Sequence, residues 1–324
     1  MHRRSSGILL HITSLPGSPG IGTIGKPAHR FIDALKRAGQ TLWQILPLGP
    51  TGYGDSPYAP FSSFAGNEIL IDCHELAEAG LLPDSSLSAL DSLPSHTVDY
   101  WAVKQTVLPL LTRAAERFLE LHPDDTAYQT FKEQQCYWLD DYTVFRSIKN
   151  YHDEKAQQEG AVSTWNTYWP IELRQHTSKA VLEWKKDHAH EIEVLKVIQF
   201  FFFSQWAKLK RYAKEQGIAI IGDIPIFVAL DSADVWSHPE LFNLDKNFAP
   251  ITVAGVPPDY FSETGQLWGN PVYCWDEMEK TEFRWWVDRL EHNLILFDIL
   301  RLDHFRGFVA YWEVPGTEKT AIGG

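Results

Sequence analysis

The run Ile218-Ala219-Ile220-Ile221-Gly222-Asp223 constrains the fold more than any other stretch of this chain. Its residues are apolar without alternation, so both faces of the strand they form must be buried, and that is the condition of a strand inside a parallel sheet. It ends abruptly in a carboxylate. A second apolar run, residues 295–303, ends in Arg301-Leu302-Asp303. Near the start, residues 6–12 and 41–46 read as two further strands. Between them Phe31, Ala34, Leu35 and Ala38 recur at helical spacing, and Gly39 closes the helix. That unit is βαβ, which implies parallel strands joined by a right-handed crossover. The glycines and prolines at 16–22 (Pro16, Gly17, Pro19, Gly20, Gly22) predict a loop after the first strand.

The middle of the chain changes character. Gly160 is the only glycine between Leu81 and Lys214, and Val107, Leu110, Leu111, Ala114, Phe118 and Leu121 fall at amphipathic spacing. Residues 131–149 and 191–215 also read as helical. Pro109 is expected in a helix's first turn, where its missing N–H costs nothing. The predicted organisation is α/β, with residues 1–72 opening the body, a mainly helical insert at 73–216 and a return to the body at 217–324. Residues 225–275 read as one long loop, followed by a helix at 283–293. Four α/β strands are half of what an eight-stranded barrel requires. The sheet is then either open or interrupted in mid-fold, and the second reading is preferred because no closing helix follows the last strand.

Composition narrows the function classes. A formal charge of −13 disfavours nucleic acid and acidic membrane as partners. Three scattered cysteines suit a reducing cytoplasm better than a disulfide scaffold or a cysteine-based metal module. Neither a targeting segment nor an apolar stretch of membrane length is visible, so a cytoplasmic location is expected. The 13 Trp, 12 Tyr and 18 Phe are the anomaly. Most should be core, but flat rings with polar edges also suit sugar rings. Trp285-Trp286 and the Phe200–Phe203 run are expected to pack helices. His188 and His190 lie two apart on a predicted helix and do not face each other, so they read as a solvated surface rather than a metal site.

Asp223 and Asp303 are the chemical candidates because each ends an apolar strand. Arg301 and Asp303 share one side of theirs, and a guanidinium there favours an ionised carboxylate. Such a carboxylate can attack an anomeric carbon. The alternatives are a structural ion pair for Asp303 and a loop-capping aspartate for Asp223. Residues 253–271 mix Tyr260, Phe261 and Trp268 with amide and acid groups, suiting either a polyol site or an ordered surface loop.

Five stretches together resemble one family, amylomaltase, the bacterial 4-α-glucanotransferase or disproportionating enzyme. They are GILLHITSLP at 7–16, QILPLGPTGYGDSPY at 44–58, GDIPIFV at 222–228, GVPPDY to GNP at 255–271, and RLDHFRGF at 301–308. The resemblance implies a (β/α)8 barrel with inserted subdomains and a retaining mechanism that passes an α-1,4-glucan segment to the 4-hydroxyl of glucose or a maltodextrin. It makes Asp303 the nucleophile, with Arg301 and His304 as the neighbours that set its charge and contact the sugar. Asp223, Trp268, Ser56 and Tyr58 become glucan contacts, and Asp259 and Gln266 members of a loop covering the cleft. It implies no metal and no organic cofactor. The family's acid/base glutamate would fall after Gly324, so these 324 residues alone are expected to be inactive. Were they active, Glu263 or Glu313 would be the first acid/base candidates. The competing functions are an α-glucan hydrolase and a glucan-binding fragment without turnover.

Overall fold

The computed structural model describes residues 4–16 and 20–324. Gly17 and Pro19 of the expected first loop, like the first three residues, lie outside the described ones. Four strands form an all-parallel sheet, β1 (Gly7–Leu9), β2 (Leu42–Gln44), β3 (Ala219–Ile224) and β6 (Ile299–Leu302), in the order β1-β2-β3-β6. The βαβ unit is present: α1 (Lys26–Arg37) joins β1 to β2 and buries Ala28, Ile32 and Leu35 on one stripe. Two further strands, β4 (Thr252–Val256) and β5 (Gln266–Pro271), form an antiparallel sheet with β7 (Trp312–Pro315) in the order β5-β4-β7.

The helices complete the element order. After α1 come α2 (Cys73–Glu78), α3 (Tyr100–Leu121), α4 (Thr126–Glu159), α5 (Ile171–Arg174), α6 (Lys179–Asp187) and α7 (Ala189–Glu215), all before β3. Then α8 (Ala233–Ser237) precedes β4, and α9 (Trp275–Lys280) and α10 (Arg284–Leu296) lie between β5 and β6. Among the described residues no helix is long and apolar enough to cross a membrane.

Several sequence expectations are corrected here. Residues 225–275 are not one loop, because α8, β4 and β5 form within them. Their Gly and Pro content hides a β4–β5 pairing with a register shift between Val253 and Gly255. Pro109 sits in the tenth position of the 22-residue α3, not in a first turn. Asp99 caps that helix by accepting from Ala102 N at 3.0 Å, so the helix starts well before the apolar stripe. Ile295 and Leu296 belong to α10 and not to the last parallel strand. His188 lies at the α6–α7 junction, stacked on Trp184 with centroids 3.8 Å apart.

Most of the rings lie in the core or pack against it. One cluster packs α1, α3 and the C-terminal half of α7 on the parallel sheet, with Phe201, Phe202, Trp206, Trp43 and Ile220 buried in it. A second gathers Trp138, Phe145, Trp169, Trp236, Trp285 and Trp286 between α4, α8 and α10. Two buried glutamines on α7 bind the connecting loops: Gln199 exchanges two hydrogen bonds with Gly66 and Gln205 two with Asp72. Buried backbone groups need such partners, and these four bonds fix the path of the chain leaving β2. Gly222 is required for close approach, since a Cβ there would lie 2.2 Å from the Phe297 ring.

Candidate active site

Parallel strands present their C-terminal ends at one rim, where α/β folds gather chemistry. The register places Asp223 of β3 directly opposite Arg301 of β6. Asp223 Oδ2 accepts from Arg301 Nη1 at 2.5 Å and from the Tyr58 hydroxyl at 2.8 Å. The other nitrogen fork of the same arginine, Nη2, donates to Asp303 Oδ1 at 2.6 Å. One guanidinium thus bridges two carboxylates in very different surroundings. The Asp223 side chain is fully buried, whereas 39% of the Asp303 side chain is open to solvent.

The backbone around this trio is fixed. Asp303 N donates to Ile224 O at 3.0 Å, and the next residue, His304, turns the chain in the left-handed region at φ 46°. Tyr58 reaches Asp223 from the loop after β2. In that loop Ser56 Oγ accepts from Tyr58 N at 3.3 Å, and Asp55 is tied to Lys104 of α3 at 2.5 Å and to Thr51 at 3.2 Å. Beneath the rim, the buried Arg289 of α10 donates to Pro225 O at 2.7 Å and Tyr273 donates to Ile226 O at 2.6 Å. Pro225 and Ile226, the second and third residues after Asp223, are therefore held in place.

The charges follow from this geometry. Burial pushes the Asp223 carboxyl up, opposed by the Tyr58 hydroxyl and the Arg301 charge. Burial, then Asp223, drives the Tyr58 phenol up to about 12, so it stays a donor. Burial works against the Arg301 charge, but the carboxylates of Asp223 and Asp303 outweigh it and hold the guanidinium above its ordinary value. A carboxylate bound to a fixed cation through one oxygen and otherwise open to the cleft has the form needed for attack on an electrophilic carbon.

The aromatic members stand beside the trio. Trp268 packs edge-on against His304 with centroids 5.1 Å apart, and its Nε1 donates to Gln266 Oε1 at 3.1 Å. Gln266 and Trp268, two apart on β5, share a face. Asn270 of the same strand donates to Val228 O at 2.8 Å, which ties β5 to the segment after β3. Asp259 stands differently: its carboxylate accepts from Phe261 N at 2.9 Å and Ser262 N at 2.8 Å, closing its own turn. That turn leaves the Tyr260 and Phe261 rings 97% and 93% exposed. The structure therefore joins Ser56, Tyr58, Asp223, Arg301 and Asp303 by hydrogen bonds, and Gln266, Trp268 and His304 by ring and amide contacts. Asp259 lies in the loop between β4 and β5.

Two residues at this rim escaped the sequence reading. His11 follows β1, and burial drives its imidazole down to about 4, leaving it neutral. Its signal was present, a histidine closing an apolar strand. Arg289 gave no signal, because an arginine on a helical pattern reads as surface. Among the described residues no group of three or more His, Cys, Asp or Glu side chains is placed to hold a metal ion.

Comparison with known proteins places the chain in a family. A family profile described as 4-alpha-glucanotransferase matches residues 10–324. The 4-alpha-glucanotransferase of Thermus thermophilus is 48% identical over 323 residues, covering 99% of this chain and 62% of the relative. That of Aquifex aeolicus is 47% identical over 323 residues, covering 99% of this chain and 63% of the relative. An amylomaltase from Streptococcus agalactiae, solved in complex with acarbose, superposes with a TM-score of 0.90 at 38% identity. That match covers 98% of this chain and 63% of the other. An amylomaltase from Corynebacterium glutamicum shares the fold at 18% identity and a TM-score of 0.74, covering 98% of this chain and 43% of the other. The chain thus spans 62–63% of the length of these two curated relatives.

Proposed function

The chain belongs to the 4-alpha-glucanotransferase family, and from that premise we propose that it carries the nucleophile side of a retaining α-1,4-glucan transferase site. The observation that supports this best is the Asp223–Arg301–Asp303 bridge at the rim of the parallel sheet. In this reading Asp303 attacks the anomeric carbon of a bound glucan, forming a glycosyl ester as the leaving sugar oxygen takes a proton. Arg301 neutralises the ground-state charge of the pair and holds Asp303 in line. Tyr58 binds sugar hydroxyls, the buried Asp223 acts on the sugar through its hydrogen bonds to Tyr58 and Arg301, and Trp268 with His304 gives an apolar face to a ring. Ser56, Gln266 and Asp259 line or cover the cleft. Maltodextrins, starch or glycogen chains are the donors, and glucose or a shorter maltodextrin takes the glycosyl unit on its 4-hydroxyl.

A retaining pair needs a second carboxyl about 5–5.5 Å from the nucleophile. Asp223 cannot serve, being buried and bound to Tyr58 and Arg301. The acid/base is taken to lie in the part of the relatives' length that these residues do not span, as are the strands that would close a (β/α)8 barrel. The division into body (1–72 and 217–324) and helical insert (73–216), and a cytoplasmic location, belong to the same reading. The relatives' names favour transfer over hydrolysis.

Chromatography of maltotriose tests the proposal. Glucose plus maltodextrins longer than the substrate is expected from the chain extended to the relatives' length, and no change from the 324 residues alone. Shorter sugars without longer ones would replace transfer by hydrolysis. No product from the extended protein would refute the reading.

A further inference from the structure

A cavity of about 310 Å³ opens between α4, α8 and α10, and none of the residues assigned to the sheet-rim site lines it. Its apolar wall is aromatic, with Phe64, Trp138 and Trp285 buried in it. Tyr137 stands at its mouth, 44% exposed, its hydroxyl 3.0 Å from His292 Nδ1. His292 Nε2 donates to the Phe64 carbonyl at 2.8 Å, so Nδ1 is the acceptor and the tyrosine the donor.

The polar part of the lining comes in matched pairs. Arg284 is bound to Asp288, and His238 stands 3.5 Å from Glu240. Asp141 is held at 2.7 Å by His176. The fourth carboxylate, Asp234, is buried, accepts from Ser63 N at 2.8 Å, and is pushed toward its neutral form by burial. Arg284 and His238 answer the charges of Asp288 and Glu240, and Asp141 is hydrogen-bonded to His176, so an anion finds no unopposed positive charge. What remains is a set of fixed donors and acceptors around flat apolar rings. A neutral polyhydroxylated ring satisfies both: its C–H face covers an aromatic, and its hydroxyls exchange hydrogen bonds with paired side chains.

We propose that this cavity is a second saccharide site, taking one or two glucosyl units of the glucan that the sheet rim takes. The identity of the sugar rests on the function proposed above. The volume is at the lower end of ligand pockets, roughly 300–1,000 Å³, which limits the occupant to a short segment.

Calorimetric titration of the chain with maltotriose tests this, with Trp285 fluorescence as a second reading. Two equivalents are expected to bind. Arg284→Ala and Tyr137→Ala, both at exposed positions, should each weaken one of them at least tenfold and leave the other. Trp268→Ala should do the reverse. A single equivalent, lost in Trp268→Ala and untouched by Arg284→Ala and Tyr137→Ala, overturns the second site while leaving the glucan reading intact. No binding to the unaltered chain overturns both. A Trp285 response to spermidine or inorganic phosphate, without one to maltotriose, replaces the sugar by an ion and overturns the proposal.

Discussion

The two sides of the candidate site are built by opposite means. The rim of the parallel sheet is a fixed electrostatic frame: a buried aspartate, a bridging arginine and a tyrosine, braced from below by Arg289 and Tyr273. The β4–β5 loop is held by its own Asp259 turn and exposes two bare rings. Charge stabilisation requires groups already in place, because reorganising dipoles during a reaction consumes the benefit. Contact with a long, variable polymer rewards rings that can adjust. Damage to the rim should therefore appear in the chemistry and damage to the loop in binding.

The sharpest way to break the comparison is Asp303→Asn. In the protein at the relatives' length it should lower transfer on the order of 10⁴-fold or more, as removal of a nucleophile does, while maltodextrin titration still shows binding. Near-normal turnover would remove Asp303 from its role. The next effect concerns α10, the helix that carries Arg289 and, one turn on, the buried His292. Burial drives His292 down to about 4, so the folded chain resists its protonation while the unfolded chain takes a proton near 6.5. The stability it contributes is present above pH 6.5 and lost as pH falls through about 4, roughly 3 kcal/mol in all. Denaturant unfolding at pH 7, 5.5 and 4.5 should show that decline, and His292→Gln should flatten part of it; an unchanged slope rejects the assignment. His11 contributes in the same direction.

Arg301→Lys comes third. A lysine keeps the charge but cannot bridge two carboxylates with a planar fork, and a fall of roughly 10–100-fold in kcat is expected. Activity within twofold of the unaltered protein would mean that charge alone suffices. The smallest effect should come from Tyr260→Ala and Phe261→Ala, each raising KM by less than about tenfold with kcat unchanged. A fall in kcat instead would make the loop part of the frame and end the comparison.

The same contrast governed what the sequence disclosed. The four parallel strands were legible because continuous apolar runs have few other uses, and Asp223, Arg301 and Asp303 were legible because they end such runs. That Arg301 would bridge to Asp223 was not, since strand order decides it and 77 residues separate them in the chain. β4 and β5 were hidden by the glycines and prolines that shape their bulged pairing. α10 extends through Leu296 into an apolar run that reads equally well as strand. The cavity between α4, α8 and α10 draws its walls from four separate segments, at 62–64, 137–142, 233–241 and 281–288, which only the fold brings together.

His304 and Asp55, each at the edge of a site loop, adopt positive φ without being glycine, at 46° and 51°. Conformations of this kind cost of order 1–3 kcal/mol each. A search for heat-resistant variants would therefore be drawn to these two positions, where asparagine or glycine relieves the backbone. At His304 that gain would remove the ring that packs against Trp268. Selection for endurance and selection for turnover should pull this residue in opposite directions.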